Sequence, residues 1–371
     1  MSWPKVKLGD VAPAIPVKNV NLDEDELVWQ LNLDQIESNT GKIVDKVKQP
    51  LSSAGSSTHF FNNEHVLYSK LRPYLNKVVV PDELGIATTE LVPMKPDQKR
   101  LNKEYLAYYL RSKPFVEWVS TQVSGAKMPR VVMSIFWQHE MPLPPLYEQE
   151  RIVSVLDKSN RLRQKREQAI KLADDFLRAT FLEMFGDPIE NPKGWNVKPL
   201  ADQIVHANNG ISRRRKEDTN EGDIVLRLQD VHYSGIAFDK ELNRIKLVDK
   251  EKQIARVEHD DLLFIRVNGN PNYVGRTAVF KSYIEPVYHN DHLIRIKLDN
   301  EYQSDFLCYL INSPFSRKLI AQQIKTSAGQ HTISQDGILK LMFYRPPIEL
   351  QEKFINIKNK IESIFYRKDK H

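Results

Sequence analysis

The sequence predicts an α/β (α+β) protein built twice over: two tandem α/β domains in a pseudo-two-fold arrangement, separated by long antiparallel coiled-coil-like helices. Three observations predict it. A set of landmarks recurs in the same order at a separation of about 200 residues, too long for a solenoid repeat. Short runs of branched and aromatic residues, bounded by Pro, Gly or Asn, read as strands. Each copy then ends in a proline pair that opens a charged, periodic segment with helical spacing.

The echo starts with "WPKVKLGDV" (Trp3 to Val11), which returns as "WNVKPLADQI" (Trp195 to Ile204). "LNLDQIESNTG" (Leu31 to Gly41) returns as "LRLQDVHYSG" (Leu226 to Gly235), and "VLYSKLRPYLNKVVV" (Val66 to Val80) as "LLFIRVNGNPNYVGRTAV" (Leu262 to Val279). "YYLRSKPF" matches "CYLINSPF", and "SGAKMPRVVMS" (Ser124 to Ser134) lies opposite "SAGQHTISQDG" (Ser327 to Gly337). Last, "PPLYEQERI" (Pro144 to Ile152) returns as "PPIELQEKF" (Pro346 to Phe354). Landmarks kept in order across both halves indicate a tandem duplication. The predicted divisions are 1–147, 148–186 for a spacer helix, 187–347, and 348–371 for a shorter C-terminal helix.

Strands are expected at 66–69, 78–80, 262–266 and 277–280. Helical pairs are expected around Pro114 and Pro314, where proline suits the first turn of the second helix. No Pro or Gly interrupts Gln149 to Phe185, and Gly186 with Pro188 marks the stop. This helix carries an apolar stripe that includes Ile152, Val155, Leu162, Ala169 and Phe176. The C-terminal helix carries Phe354, Ile357, Ile361 and Ile364. An apolar stripe needs a partner, and the two striped helices are expected to supply it for each other and for further subunits.

Composition narrows the function. The chain is 41% hydrophobic with a net charge of +6, which fits a globular protein with a polyanionic partner. No apolar run is long enough for a membrane span, the N-terminus lacks a secretory h-region, and the one cysteine, Cys308, suits a reducing compartment. A cytoplasmic location is expected.

Catalytic signals are weak. "NPNY" (Asn270 to Tyr273) is similar to the Asn-Pro-Pro-Tyr of amino-methyltransferases, but no Gly-rich methyl-donor motif precedes it, and Asn-Gly-Asn-Pro-Asn is a strong turn sequence. "HNDH" (His289 to His292) lies opposite "TTEL", where no metal ligand occurs. Cys308 sits in an apolar helical stretch without a neighbouring histidine. No metal site and no active site are expected. An autonomous adenine methyltransferase and a scaffold for proteins or RNA are the alternatives.

The duplicated "PLPPLYEQERI", the junction "FLEMFGDPIENPKGWNVKPL", "LYSKLRPYLNK" and "LLFIRVNGN" together resemble the specificity subunits of type I restriction–modification systems, along essentially the whole chain. The resemblance implies two target-recognition domains, each reading half of a bipartite double-stranded DNA site. It further implies helices that set the gap and dock two methyltransferase subunits, with restriction/translocase subunits joining and no membrane partner. No cofactor is expected on this chain; S-adenosylmethionine, ATP and Mg would sit on the partners.

DNA-facing residues are expected on the loops, where Arg and Lys suit guanine and Asn and Gln suit adenine. In the first domain these are Lys70, Arg72, Tyr74, Asn76 and Lys77, with Lys127 and Arg130. In the second they are Arg266, Asn268, Asn270, Asn272 and Arg276, with Gln330 and His331. Arg213, Arg214 and Arg215 are expected on phosphates.

Overall fold

In the computed structural model, residues 3–18, 20–212, 221–232, 235–238 and 241–365 are described. The chain divides into two compact units, 1–165 and 166–371, with the division inside one helix, Leu146–Phe185. Its 40 residues correspond to about 60 Å of helix. Among the described residues no helix is long and apolar enough to cross a membrane.

The expected strands form, and each unit is built to one plan. In the first, Val66–Ser69 is the middle strand of an antiparallel trio with Val78–Val79 and Leu91–Met94. In the second, Leu262–Ile265 lies between Thr277–Val279 and Leu293–Leu298, and Ile204–Asn209 adds a fourth strand. Both middle strands are buried throughout, and their two-residue period divides two cores. Val66 and Tyr68 face the helices with Leu106, Leu110 and Phe136, whereas Leu67 packs with Trp29, Leu31 and Phe61. Likewise Leu262 and Phe264 join Phe306 and Leu310, while Leu263 and Ile265 join Ile224 and Leu226.

A second sheet in each unit contains a parallel pair: Leu27–Leu31 beside Gly85–Thr88, and Asp223–Leu226 beside Val287–His289. The helical pairs are Lys103–Arg111 with Lys113–Ser120, and Ser304–Asn312 with Pro314–Gln323. Each pair breaks at a serine, Ser112 or Ser313, whose extended backbone caps both helices. Proline in the next turn allows the new helix but not continuation of the old one.

Each unit closes on itself. Lys5–Lys7 pairs antiparallel with Glu140–Pro142, and Asn196–Pro199 with Met342–Arg345. The closing strand leads straight into the proline pair, and there the repeated motif has a common purpose. Gln149 and Gln351 are both fully buried. The Gln149 Oε1 accepts from Asn102 N at 2.8 Å, and its Nε2 donates to Arg100 O at 2.8 Å and Pro144 O at 2.7 Å. Gln351 repeats the set with Gln303 N at 2.9 Å, Glu301 O at 3.3 Å and Pro346 O at 2.8 Å. A proline that follows keeps Pro144 and Pro346 extended, so their carbonyls turn away from the helix and need an outside donor. The neighbouring carbonyls Pro142 O and Tyr344 O are also capped, by Tyr105 and Tyr302, which occupy different places in the repeat.

One buried difference between the units has a clear energetic cost. Val11 in the first unit is replaced by Gln203, 1% exposed, with no hydrogen-bond partner among the described residues for either side-chain amide atom. An amide buried without partners costs about 1–3 kcal/mol. Gln203→Val is therefore expected to stabilise the second unit by about 1–2 kcal/mol, read as a raised urea midpoint at unchanged m-value.

The helix stripes are more specific than their spacing indicated. In the first unit the long helix turns Gln149 and Val153 inward, with Ile152 half-buried. Its flank is tied to the helical pair through Tyr108, whose hydroxyl donates to Asp157 Oδ1 at 2.5 Å and accepts from Asn160 Nδ2 at 3.0 Å. In the second unit the inward set is Ala173, Leu177, Phe181 and Phe185, four residues apart. Phe354 of the C-terminal helix Ile348–Phe365 is fully buried against Phe181 and Phe185, at ring distances of 5.4 and 5.8 Å. Of the other stripe residues, Ala169, Ile357 and Ile361 are half-buried. Val155, Leu162, Phe176 and Ile364 are exposed on this chain.

Candidate nucleic-acid interface

The residues singled out in each half lie far apart in sequence, and the backbone ladder brings them together. In the first unit the loop after Val66–Ser69 runs beside the hairpin formed by Val123–Ser124 and Arg130–Val131. Leu71 bridges Arg130, Arg72 N donates to Pro129 O at 2.8 Å, and Val131 N donates to Lys70 O at 2.9 Å. Lys70, Arg72 and Arg130 thus share one edge, and Lys127 is exposed at the hairpin tip. In the second unit Val267–Asn268 pairs with Gln330–Ile333, and Ile333 N donates to Arg266 O at 2.9 Å. His331 therefore stands opposite Asn268, with Gln330 next along the same strand. The same loop-and-hairpin surface occurs in both units.

The loops are held by their own chemistry. Arg72 and Asn76 have left-handed backbones, at φ 48° and 51°, on either side of the short turn Pro73–Leu75. This turn leaves Tyr74 exposed and sends Asn76 inward. Asn76 is 8% exposed and its amide donates to Arg111 O at 3.1 Å, so in this structure it supports the loop rather than presenting an edge outward. Lys77 is similarly engaged, its Nζ donating to Leu33 O at 2.6 Å.

In the second unit the Asn-rich turn is a ladder of side chain to backbone bonds. Asn268 Oδ1 accepts from Asn270 N, and Asn270 Oδ1 accepts from Asn272 N, at 2.9 and 3.0 Å. Each of these oxygens thus uses one of its two lone pairs within the turn, so a bidentate adenine contact would draw on the other. Asn272 is exposed beyond them. Arg276 lies over the Tyr273 ring at 4.0 Å, with its Nε donating to Asn272 O. Arg266 Nη1 donates to Asp291 O, and His331 Nδ1 pairs with Thr326 Oγ1 at 2.8 Å.

Glu90 was not among the expected DNA-facing residues, yet both its oxygens accept from Arg130 Nε, at 2.9 and 3.2 Å. It therefore neutralises part of the first surface. In the structure it takes the place that His292 has in the second unit: Lys70 N donates to Glu90 O at 3.0 Å as Arg266 N does to His292 O at 2.8 Å. Arg213, Arg214 and Arg215 lie outside the described residues.

Other candidates resolve into structure. His289 is fully buried, with Nδ1 against Ala255 O at 2.9 Å, and burial lowers its pKa to about 4. Burial of the Cys308 sulfur pushes that thiol up to about 12, far from the thiolate a nucleophile requires. Among the described residues no group of three or more His, Cys, Asp or Glu is placed to hold a metal ion.

A sheet-and-helix unit that presents a basic loop and a hairpin along one edge, made twice in one chain, defines a class of paired recognition modules. Residues 2–172 match the family described as the type I restriction modification DNA specificity domain. The chain is 30% identical over 280 residues to the StySPI specificity subunit of Salmonella potsdam, covering 72% of this chain and 59% of that protein. It is 22% identical over 282 residues to the EcoKI specificity subunit of Escherichia coli K12, covering 72% and 60%. The crystal structure of a type I restriction–modification S subunit from M. genitalium shares the fold, with a TM-score of 0.61 at 16% identity over 99% of this chain and 91% of that one. Residues 2–172 thus match the type I DNA specificity domain, and 72% of the chain is similar in sequence to type I specificity subunits. Its matches span about 60% of the length of those two curated relatives.

Proposed function

We propose that this chain is the DNA-recognition subunit of a type I restriction–modification enzyme and performs no catalysis itself. Each unit reads one half of an asymmetric bipartite site through its loop and hairpin. The observation that carries this reading is the duplicated juxtaposition: Lys70 beside Val131 and Arg266 beside Ile333, in identical hydrogen-bond register. Two readers on one chain suit two half-sites, and two readers with different side chains suit half-sites of different sequence.

The residues best placed to meet DNA are Lys70, Arg72, Tyr74, Lys127 and Arg130 in the first unit. In the second they are Arg266, Asn272, Arg276, Gln330 and His331. The long helix sets the gap, roughly one helical turn or about 34 Å between half-site centres. Its exposed Val155, Leu162 and Phe176 supply apolar area for docking two methyltransferase subunits, which a restriction/translocase subunit would join. Methyl donor, ATP and Mg belong to those partners, where the methylated adenine is flipped out of the duplex.

Comparison of the adenine methylome of the host with and without this gene tests the proposal. Loss of one asymmetric bipartite motif is the expected result. Loss of a continuous motif, or of none, would overturn it.

A further inference from the structure

In the second unit Arg276, one of the residues expected to meet DNA, is accompanied by an arginine outside that set, Arg317. Arg317, on the helix Pro314–Gln323, donates from Nη1 to Val274 O at 3.0 Å and from Nη2 to Pro271 O at 3.1 Å. Both acceptors belong to the recognition loop, so this one side chain fixes that loop to the helix. Gly275 sits tight against the same helix, where an added Cβ would lie 2.6 Å from Ile320 Cγ2. Arg276, the next residue, is half-buried and held by the Tyr273 ring and, through Nε, by Asn272 O.

Among the described residues neither guanidinium has a carboxylate partner, although ion pairs are plentiful elsewhere in the unit. Burial and the like charge of Arg276 both lower the pKa of Arg317. Two cations held together without an anion are destabilising on their own, and such a pair creates a positive field at the loop's edge. The carbonyl bonds of Arg317 explain its place but not the second charge.

The first unit lacks this feature. Counting from Pro114 and Pro314, the position of Arg317 is taken by Glu117, which pairs with Lys113 at 3.7 Å.

Resting on the DNA-binding reading above, we infer that Arg276 and Arg317 form a phosphate clamp at the edge of the second unit's surface. Arg276 is the contacting group, and Arg317 is a positioning residue that fixes the loop and adds charge behind it. A full negative charge matches two unpaired cations better than the partial charges of a guanine edge do.

The test uses the full chain, alone and co-expressed with its host's methyltransferase subunits, on a duplex carrying the motif found in the methylome comparison. Affinity is measured across a salt series. For Arg276→Gln the slope of log K against log salt is expected to fall in magnitude by about 0.9, the share of one phosphate. The methylated motif stays the same. Arg317→Gln reduces the slope likewise and Arg317→Lys retains it, with thermal melts reporting that each variant is folded. An unchanged slope in folded Arg276→Gln overturns the clamp and leaves the subunit reading intact. A changed base at one motif position would make Arg276 a base reader and also overturns it. Failure of the unmodified chain to bind DNA in either form would instead sink the function itself, and the clamp with it.

Discussion

Replacing Gln149 by Leu is expected to destabilise the first unit by about 3 kcal/mol, and Gln351→Leu to do the same to the second. The estimate follows from what each glutamine satisfies. One backbone N–H and two carbonyls would lose their partner, in each case next to the helix entrance, and an unsatisfied buried group costs about 1–3 kcal/mol. Leucine keeps most of the volume, so the loss is polar rather than a cavity. Glutamate is expected to be worse than leucine, because a carboxylate has no donor for Pro144 O and Arg100 O. For a unit of this size the leucine change corresponds to roughly 6–12 °C in melting temperature. Differential scanning calorimetry of the two variants is the check. A shift under ~1 °C in both would show that the two glutamines contribute little.

The second large effect concerns the long helix. If it sets the gap, removing residues 163–169 shortens it by about 10 Å and turns its ends by only about 20° relative to each other. At 3.4 Å per base step that length is worth about three base pairs, or roughly 100° of duplex twist. Methylation at the original gap is therefore expected to be lost, and any bipartite motif that remains to keep both half-sites at a different gap. Removing two residues from the same stretch shortens it by about 3 Å but turns the ends by about 160°. That variant is expected to lose methylation of any bipartite site. Methylome sequencing of the two strains separates the outcomes. An unchanged motif and gap in the seven-residue deletion would refute the ruler.

Much of this was legible in the sequence because the repeat shows it twice. Branched residues bounded by turn residues located Val66–Ser69 and Leu262–Ile265 within a residue. Pro114 and Pro314 located the helical breaks. What depends on contacts between distant residues was not legible. Gln149 reads as an ordinary polar residue in a helix's first turn, since nothing local reveals that its partners are Asn102 and Arg100. The heptad stripe marked Val155, Leu162 and Phe176 along with Phe354, but which turns face inward depends on the tilt of each domain against the helix. Asn268 and Asn270 read as adenine contacts by type, and only the Asx ladder shows one lone pair of each oxygen to be used within the turn. Arg317 escaped notice because it lies on a helix that reads as core, far in sequence from the loop it holds.

The antiparallel clasp between the first and last strands of each unit has an evolutionary consequence. Because Lys5–Lys7 lies beside Glu140–Pro142, the segment between them leaves and re-enters the frame at one place. Asn196–Pro199 and Met342–Arg345 give the other segment the same property. Each is therefore a cassette with adjoining ends, the arrangement in which exchange of a whole domain is best tolerated. Recombination at the flanking sequences would install a new reader while leaving the helix and the opposite reader untouched, provided the incoming segment offers Gln149 or Gln351 the same backbone N–H and carbonyl. New specificities would then arise by shuffling halves, faster than by stepwise mutation of any loop.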